Sequence, residues 1–535
     1  MRLNALYSDR DVPAREGSKE NRNGLALALS HRATDKLLLS ADVYHLRANG
    51  VPDGGVPWDS LAGQPVPGSH FYGQNARDFL HAGADILTLG LNYDLPDGSH
   101  IQNQTRYGIT TNEYFITIPG LSAINPATGQ QVARTTPVGL ATAGVFAAAS
   151  SQNRNQENKY FGNQTNWVKD TTLNGIEHNL VLGVEVSREE VDNLPYSDAL
   201  RSPNAGDPQN PNNNAWIEQG GSYTSNPDRY SRILLETWSV YALDTARLNS
   251  DWEVFGGLRY DTFDYSLYSG PSDYQNGTQV NSKDGFMNGH LGVTYSPWYN
   301  GNAYASVSTS SNPSGEQLDA GANCAYGGLC GDGSAKPERN RSVEIGTKWN
   351  LMNNTLLLTS ALFQTTKSDV LSQQGAGGPI TQVGELRVRG FELGAVGKLN
   401  QAISISSGLA LLDTEITQSD TDSEIGQAFP NTAEQSANLQ LRWQATPKWA
   451  LGSTATYTGK ISGGTPNGPV TSNSIPGNTR YDLMAEYKLS HDVKFRLNVL
   501  NATDKIYYDA LYRSGAPFTY VGEGRSASLT MVMDF

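Results

Sequence analysis

The chain has 535 residues and a formal net charge of −14, with only 17% charged and 38% hydrophobic residues. An ordinary soluble domain carries about 25% charged and about 45–50% apolar residues, so what remains here is rich in Gly, Asn, Ser, Thr and Tyr. The acidic balance excludes a general nucleic-acid binder, and no run approaches the roughly 18 apolar residues of a membrane-spanning helix. The 26 Tyr, 14 Phe and 9 Trp are too many for a disordered chain, and 2 Cys do not make a disulfide scaffold.

In chain order, Met1–Asp9 (MRLNALYSD) has neither an apolar signal-peptide core nor a small-residue cleavage site. It reads as the interior of a strand, which leads to the expectation that an N-terminal portion has been lost. Period-2 alternation, the mark of a half-buried strand, follows along the chain. Trp252, Val254, Leu258 and Tyr260 alternate with Glu253, Phe255 and Arg259. Val343, Ile345, Thr347 and Trp349 alternate with Glu344, Gly346 and Lys348, and Val493–Val499 and Tyr481–Leu489 behave alike. About twenty strands of roughly ten residues result, the length that crosses a bilayer at a tilt. Their centres fall at Ala5, Leu27, Asp42, Thr88, Thr105, Asn163, Val181, Ser239, Gly257, His290, Ser306, Gly346, Ser360, Phe391, Gly408, Leu439, Thr454, Met484, Leu497 and Thr530.

The connections alternate in length. Short ones such as Ala33–Asp35, Pro96–Gly98 and Asp170–Thr172 separate long ones such as residues 47–82, 112–157, 189–231 and 503–523. A transmembrane antiparallel β-barrel of the outer-membrane type sorts its loops this way, with tight periplasmic turns and long extracellular loops. The last strand places Arg525, Ala527, Leu529, Met531, Met533 and Phe535 on one face. An alternating final strand closed by Phe535 resembles the assembly signal of bacterial outer-membrane barrels. The apolar segment Val138–Ala149 is too short to span as a helix and is expected to form a packed loop helix.

Several stretches resemble TonB-dependent outer-membrane receptors: Pro337–Trp349, Arg387–Gly394, Ile475–Leu489 and Leu497–Tyr512 with Val521–Phe535. Within that family Gly55–Gly73 and Arg513–Arg525 look most like catecholate-siderophore receptors. The resemblance implies a barrel of about 22 strands filled by an N-terminal plug, with a short plug segment that contacts TonB. It implies import of a ferric siderophore, with iron carried as cargo and no covalently bound cofactor. Residues 1–535 would then be the barrel domain alone, about twenty of 22 strands, with the plug and first strands absent. The implied partners are the ferric siderophore, TonB through the missing plug segment, outer-membrane lipid and the barrel-assembly machinery, with no nucleic acid. The location is the bacterial outer membrane.

A ferric-siderophore site needs aromatic faces for planar rings and cations for the anionic complex. One loop offers Trp58, Phe71, Tyr72 and Arg77, and another Tyr507, Tyr508, Tyr512, Arg513, Phe518 and Tyr520. Tyr114 and Phe115 at an outer strand end, with Arg387 and Arg389, complete the candidates. Any one of these aromatics also suits the interfacial girdle of a barrel. Cys324 and Cys330 share a long loop; a local disulfide fits the oxidising exterior, and a metal pair would need further ligands nearby. The acidic run Asp420, Asp422 and Glu424 suits a solvated loop better than a calcium site, and no metal site is expected. Glu344, Lys348, Glu392, Asp482, Glu486, Lys494 and Arg496 point into the lumen if their apolar neighbours face lipid, either to meet a plug or to line water.

Two other readings compete. A plugless barrel of this width predicts a porin-like passive channel or a non-functional receptor fragment. A secreted β-rich enzyme such as a carbohydrate hydrolase predicts a paired-carboxylate cleft, for which the sequence offers no convincing pair. The protein is therefore not expected to be an enzyme.

Overall fold

The computed structural model describes residues 1–68, 70–124, 131–132, 145–273, 277–313, 336–373, 380–464, 470–512 and 517–534. Twenty strands form one antiparallel sheet in which each pairs with its neighbours in sequence. They are β1 Arg2–Asp11, β2 Lys19–Thr34, β3 Leu37–Val51, β4 Phe79–Asp94, β5 His100–Ile124, β6 Val145–Leu173 and β7 Ile176–Asn193. Next come β8 Tyr230–Arg247, β9 Trp252–Gly270, β10 Thr278–Trp298, β11 Gly301–Asn312, β12 Glu338–Leu351, β13 Leu356–Gln373 and β14 Ile380–Lys398. The last are β15 Ile403–Gln418, β16 Gln435–Gln444, β17 Trp449–Thr458, β18 Asn478–Lys488, β19 Val493–Leu500 and β20 Ser526–Met533. Each of the twenty expected centres falls inside its strand. Among the described residues β1 and β20 each pair on one side only, β1 with β2 and β20 with β19.

One alternation phase of the sheet is apolar and exposed: Leu25, Val43, Leu89, Val184, Val240, Leu258, Leu291, Ile345, Leu483, Leu497 and Leu529. Exposure of so many large apolar side chains on one face has a physical reason when that face meets lipid. Beside the short turns an aromatic girdle marks the periplasmic interface. Trp252 stacks on Tyr295 with centroids 4.2 Å apart, Trp298 lies 5.0 Å from Trp349, and Trp449 lies 4.7 Å from Tyr487. The opposite phase is polar. Tyr304 donates to Glu344 at 2.5 Å beneath the Lys348 ammonium, and Glu486 accepts from Arg442 at 3.1 Å and Arg496 at 2.6 Å. These are the side chains that the alternation assigns to the lumen.

Three expectations change in detail. The turn between β6 and β7 sits at Asn174–Gly175, not at Asp170–Thr172: Leu173 pairs with Ile176, and both turn residues have positive φ, 51° and 82°. Asn-Gly in that conformation matches the twist of a two-residue hairpin. The expected loop 112–157 is largely ladder, since β5 and β6 stay paired up to Ala123 and Val145. The expected loop helix at Val138–Ala149 is likewise corrected over its described part, because Val145–Ala149 is strand. Small residues without a polar phase fit an extended backbone packed under loops as well as they fit a helix; Val138–Gly144 lie outside the described residues.

Candidate ligand-binding mouth

The extracellular loops build a second sheet above the barrel. Its strand order is Val470–Ile475, Ile461–Gly464, Tyr508–Tyr512, Phe518–Val521, Val56–Asp59 and Gln64–Pro65. Three loops distant in sequence thus share one cap. Gly55 permits a close approach: its φ is +86°, and a Cβ there would lie 2.2 Å from the Thr519 carbonyl oxygen. The Trp58 N–H donates to Pro517 O at 2.9 Å. Trp58 packs with Ile461, Ile475 and Leu511, and Val56 and Tyr72 pack with Ala147, Ala149, Ala205 and Ala215.

Most aromatic candidates lie inside this cap. Trp58, Phe71, Tyr72 and Phe518 are all buried. Tyr72 donates to Pro208 O at 2.5 Å, and burial pushes its phenol above the ordinary value. Phe518 lies 5.6 Å from Tyr512 and 5.5 Å from Tyr520, both half-buried. Arg77 is 1% exposed and each of its three guanidinium nitrogens is engaged. It donates to Asp78 at 3.0 Å, Asp198 at 3.2 Å, Thr117 Oγ1 at 2.7 Å and Ala149 O at 3.1 Å. Its place is that of an internal tie between loops 52–78 and 194–229 and the hairpin β5–β6.

The lumen side of the mouth is different. Tyr107 is lipid-facing, so Tyr114 has the lumen phase of β5, directly across the ladder from Arg154 on β6. Arg154 donates to Gln156 at 3.1 Å, and Gln156 donates to Asn158 at 2.7 Å, all on the lumen phase that continues to Tyr160. Glu189 on β7 faces Tyr160 across the ladder. On the far side of the cap Arg480 donates to Tyr507 at 3.3 Å and to Asp482 at 3.0 Å. Phenols and guanidinia thus line the mouth, the chemistry that holds an anionic aromatic ligand. Arg154, Arg480 and Glu189 were not singled out in the sequence. The polar run Arg154–Tyr160, read as strand, is the signal that would have revealed Arg154.

Arg387 and Arg389 lie elsewhere. They share the phase of Leu393, whose ladder partner Leu409 adjoins the lipid-facing Leu411, and so stand on the outward face of β14. Arg387 pairs with Glu415, and Arg389 donates to Gln364 at 2.9 Å. Phe115 also takes the outward phase, against Tyr223 at 4.6 Å. Asp422–Glu424 form a 3-10 turn with Ser419 donating to Glu424 at 2.7 Å. Arg513, Cys324, Cys330 and Phe535 lie outside the described residues.

Residues 27–502 match the family model described as TonB dependent receptor-like, beta-barrel. Among curated proteins the chain is similar to the probable TonB-dependent receptor BfrD of Bordetella pertussis, 28% identical over 100% of this chain and 73% of that protein. It is 26% identical to the catecholate siderophore receptor Fiu of Escherichia coli K12, over 100% of this chain and 72% of Fiu. Among solved structures, the siderophore receptor PiuA from Acinetobacter baumannii superposes with a TM-score of 0.84 at 25% identity, covering 99% of this chain and 77% of PiuA. The closed form of the E. coli ferric-catecholate import receptor Fiu gives the same TM-score and identity over 100% of this chain and 77% of Fiu.

Proposed function

The chain belongs to the TonB-dependent receptor β-barrel family, and from that premise we propose that it is the barrel of a receptor for TonB-dependent uptake of a ferric siderophore of catecholate type. It is a β-barrel protein of the bacterial outer membrane. The observation that carries the proposal is similarity to PiuA and Fiu over 96–100% of this chain, in sequence and in backbone. The mouth supports it: Tyr114 and Arg154 face the lumen together, with Arg480 and Tyr507 on the far side. In this reading iron is substrate, bound within its chelator, and the protein carries no covalently bound cofactor and performs no chemical step. TonB acts through a plug segment that is not among these residues, and the polar lumen wall receives the plug.

The test is uptake of radioactive iron as its catecholate complex, by cells lacking their own catecholate receptors and expressing this barrel joined to its plug. Saturable uptake that stops when TonB is deleted supports the reading. Unsaturable entry of small solutes, indifferent to TonB, refutes it.

A further inference from the structure

We propose that a cleft on the outward side of hairpin β5–β6, under loop 194–229, binds a phosphate group. The cleft has a volume of about 240 Å³, and its walls include Ser151, Asn153, Tyr196, Asp198, Arg201 and Arg229. That is below the roughly 300–1,000 Å³ of a small-molecule pocket, so it accepts one oxyanion group and not a whole ferric chelate. It is also separate from the mouth: Ser151 and Asn153 have the outward phase of β6, whereas Arg154 has the lumen phase.

The charge arrangement selects the ligand. The one carboxylate in the wall, Asp198, is saturated. One oxygen accepts from Arg77 at 3.2 Å and Ser151 at 2.7 Å, the other from Trp216 Nε1 at 2.9 Å and the Leu200 N–H at 3.0 Å. Among the described residues neither the Arg201 nor the Arg229 side chain has a hydrogen-bond or ion-pair partner, although the protein carries a net charge of −14. Other arginines on the same flank are matched: Arg188 meets Glu236 at 2.9 Å and Arg232 meets Glu190 at 2.7 Å. The backbone around the two free guanidinia is fixed. Ser151 N–H donates to Arg201 O at 2.9 Å, and Arg229 N–H donates to Asn226 O at 3.1 Å. Asn153 and Tyr196 exchange two hydrogen bonds, at 3.2 and 2.9 Å, that set the cleft wall. Two unmatched guanidinia at one small polar cleft suit a doubly charged phosphate better than a singly charged carboxylate. The phosphate is either free or carried on a head group of the surrounding outer leaflet.

Calorimetric titration of the full chain in a neutral, phosphorus-free detergent tests this. The probes are inorganic phosphate, lipopolysaccharide, and the same lipopolysaccharide after dephosphorylation. Saturable binding is expected, at least tenfold weaker in the R201Q/R229Q variant and unchanged in R188Q. Phosphorylated lipopolysaccharide binding more tightly than inorganic phosphate, with loss on dephosphorylation, identifies a lipid head group as the source. Saturation by inorganic phosphate alone identifies a free anion. Equal affinities of parent and R201Q/R229Q, equal losses in R188Q, or no saturable binding of any probe overturns the proposal. Both arginines are exposed, and an unchanged heat-dependent shift in gel mobility verifies that the variants are folded.

Discussion

Arg77 shows how a single side chain can be legible as a type and illegible as a role. Beside Phe71 and Tyr72 in a loop, an arginine suits an anionic ligand as well as it suits an internal tie; only burial separates the two, and burial depends on loops far away in sequence. With Asp78 and Asp198 both held by Arg77, R77M leaves two buried carboxylates short of their cation. Breaking such a group costs about 3–5 kcal/mol, so loops 52–78 and 194–229 should become sensitive to limited proteolysis while the barrel keeps its heat-shifted gel mobility. At the lumen wall, Y114A and R154Q remove a ring and a cation that face the same space. If one charge-assisted contact contributes about 1.5–3 kcal/mol, each variant should bind a ferric catecholate at least tenfold more weakly by tryptophan quenching.

At the scale of elements, the sequence was readable wherever lipid imposes a period. A strand that faces acyl chains on one side and a polar lumen on the other must alternate, which is why every strand centre could be placed. Above the membrane that constraint ends. The upper halves of β5 and β6 pair as strands without a sustained polar–apolar alternation, so they read as loop, and Arg154 went unnoticed with them. The run of alanines ending at Ala149 gave no period, because Ala suits helix and packed strand alike. Its role is steric: Ala147 is fully buried against Val56, Tyr72, Ala205 and Ala215. A147L forces a larger side chain into that contact at a cost of about 1–3 kcal/mol. Faster hydrogen exchange in Val56–Asp59 and in residues 203–206 is the expected signature, with β8–β12 unaffected.

At the scale of the whole molecule, the two ends of the sheet meet at the mouth. Gly524 N–H donates to Pro13 O at 3.1 Å, and Arg10 lies 3.3 Å from Glu523. β1 leads into an extracellular loop and β20 follows one, so they run antiparallel across the seam. If nothing occupies the seam, the outward-directed amides of Arg2–Asp11 should exchange rapidly in the detergent-solubilised chain while those of β4 remain protected, since unpaired backbone in the bilayer costs several kcal/mol per group. Uniform protection along β1 would show instead that the seam is closed.

The cap also carries a consequence in time. Its sheet joins Val56–Asp59 to Phe518–Val521, and it includes Ile461–Gly464. Contacts between segments so far apart in sequence form slowly, and this one cannot exist until nearly the whole chain has been delivered. The Val56–Asp59 end of the second extracellular loop therefore stays unpaired through most of biogenesis, although its Phe71–Asp78 end is already tied to loop 194–229, and it is fastened by the segment that precedes the last strand. Chains ending before Tyr508 should be cut by external protease around Val56–Asp59, and full-length chains should pass from cleavable to resistant there in a single late step. Resistance of that loop would date the completion of the barrel, and the mouth would take its binding shape only at that moment.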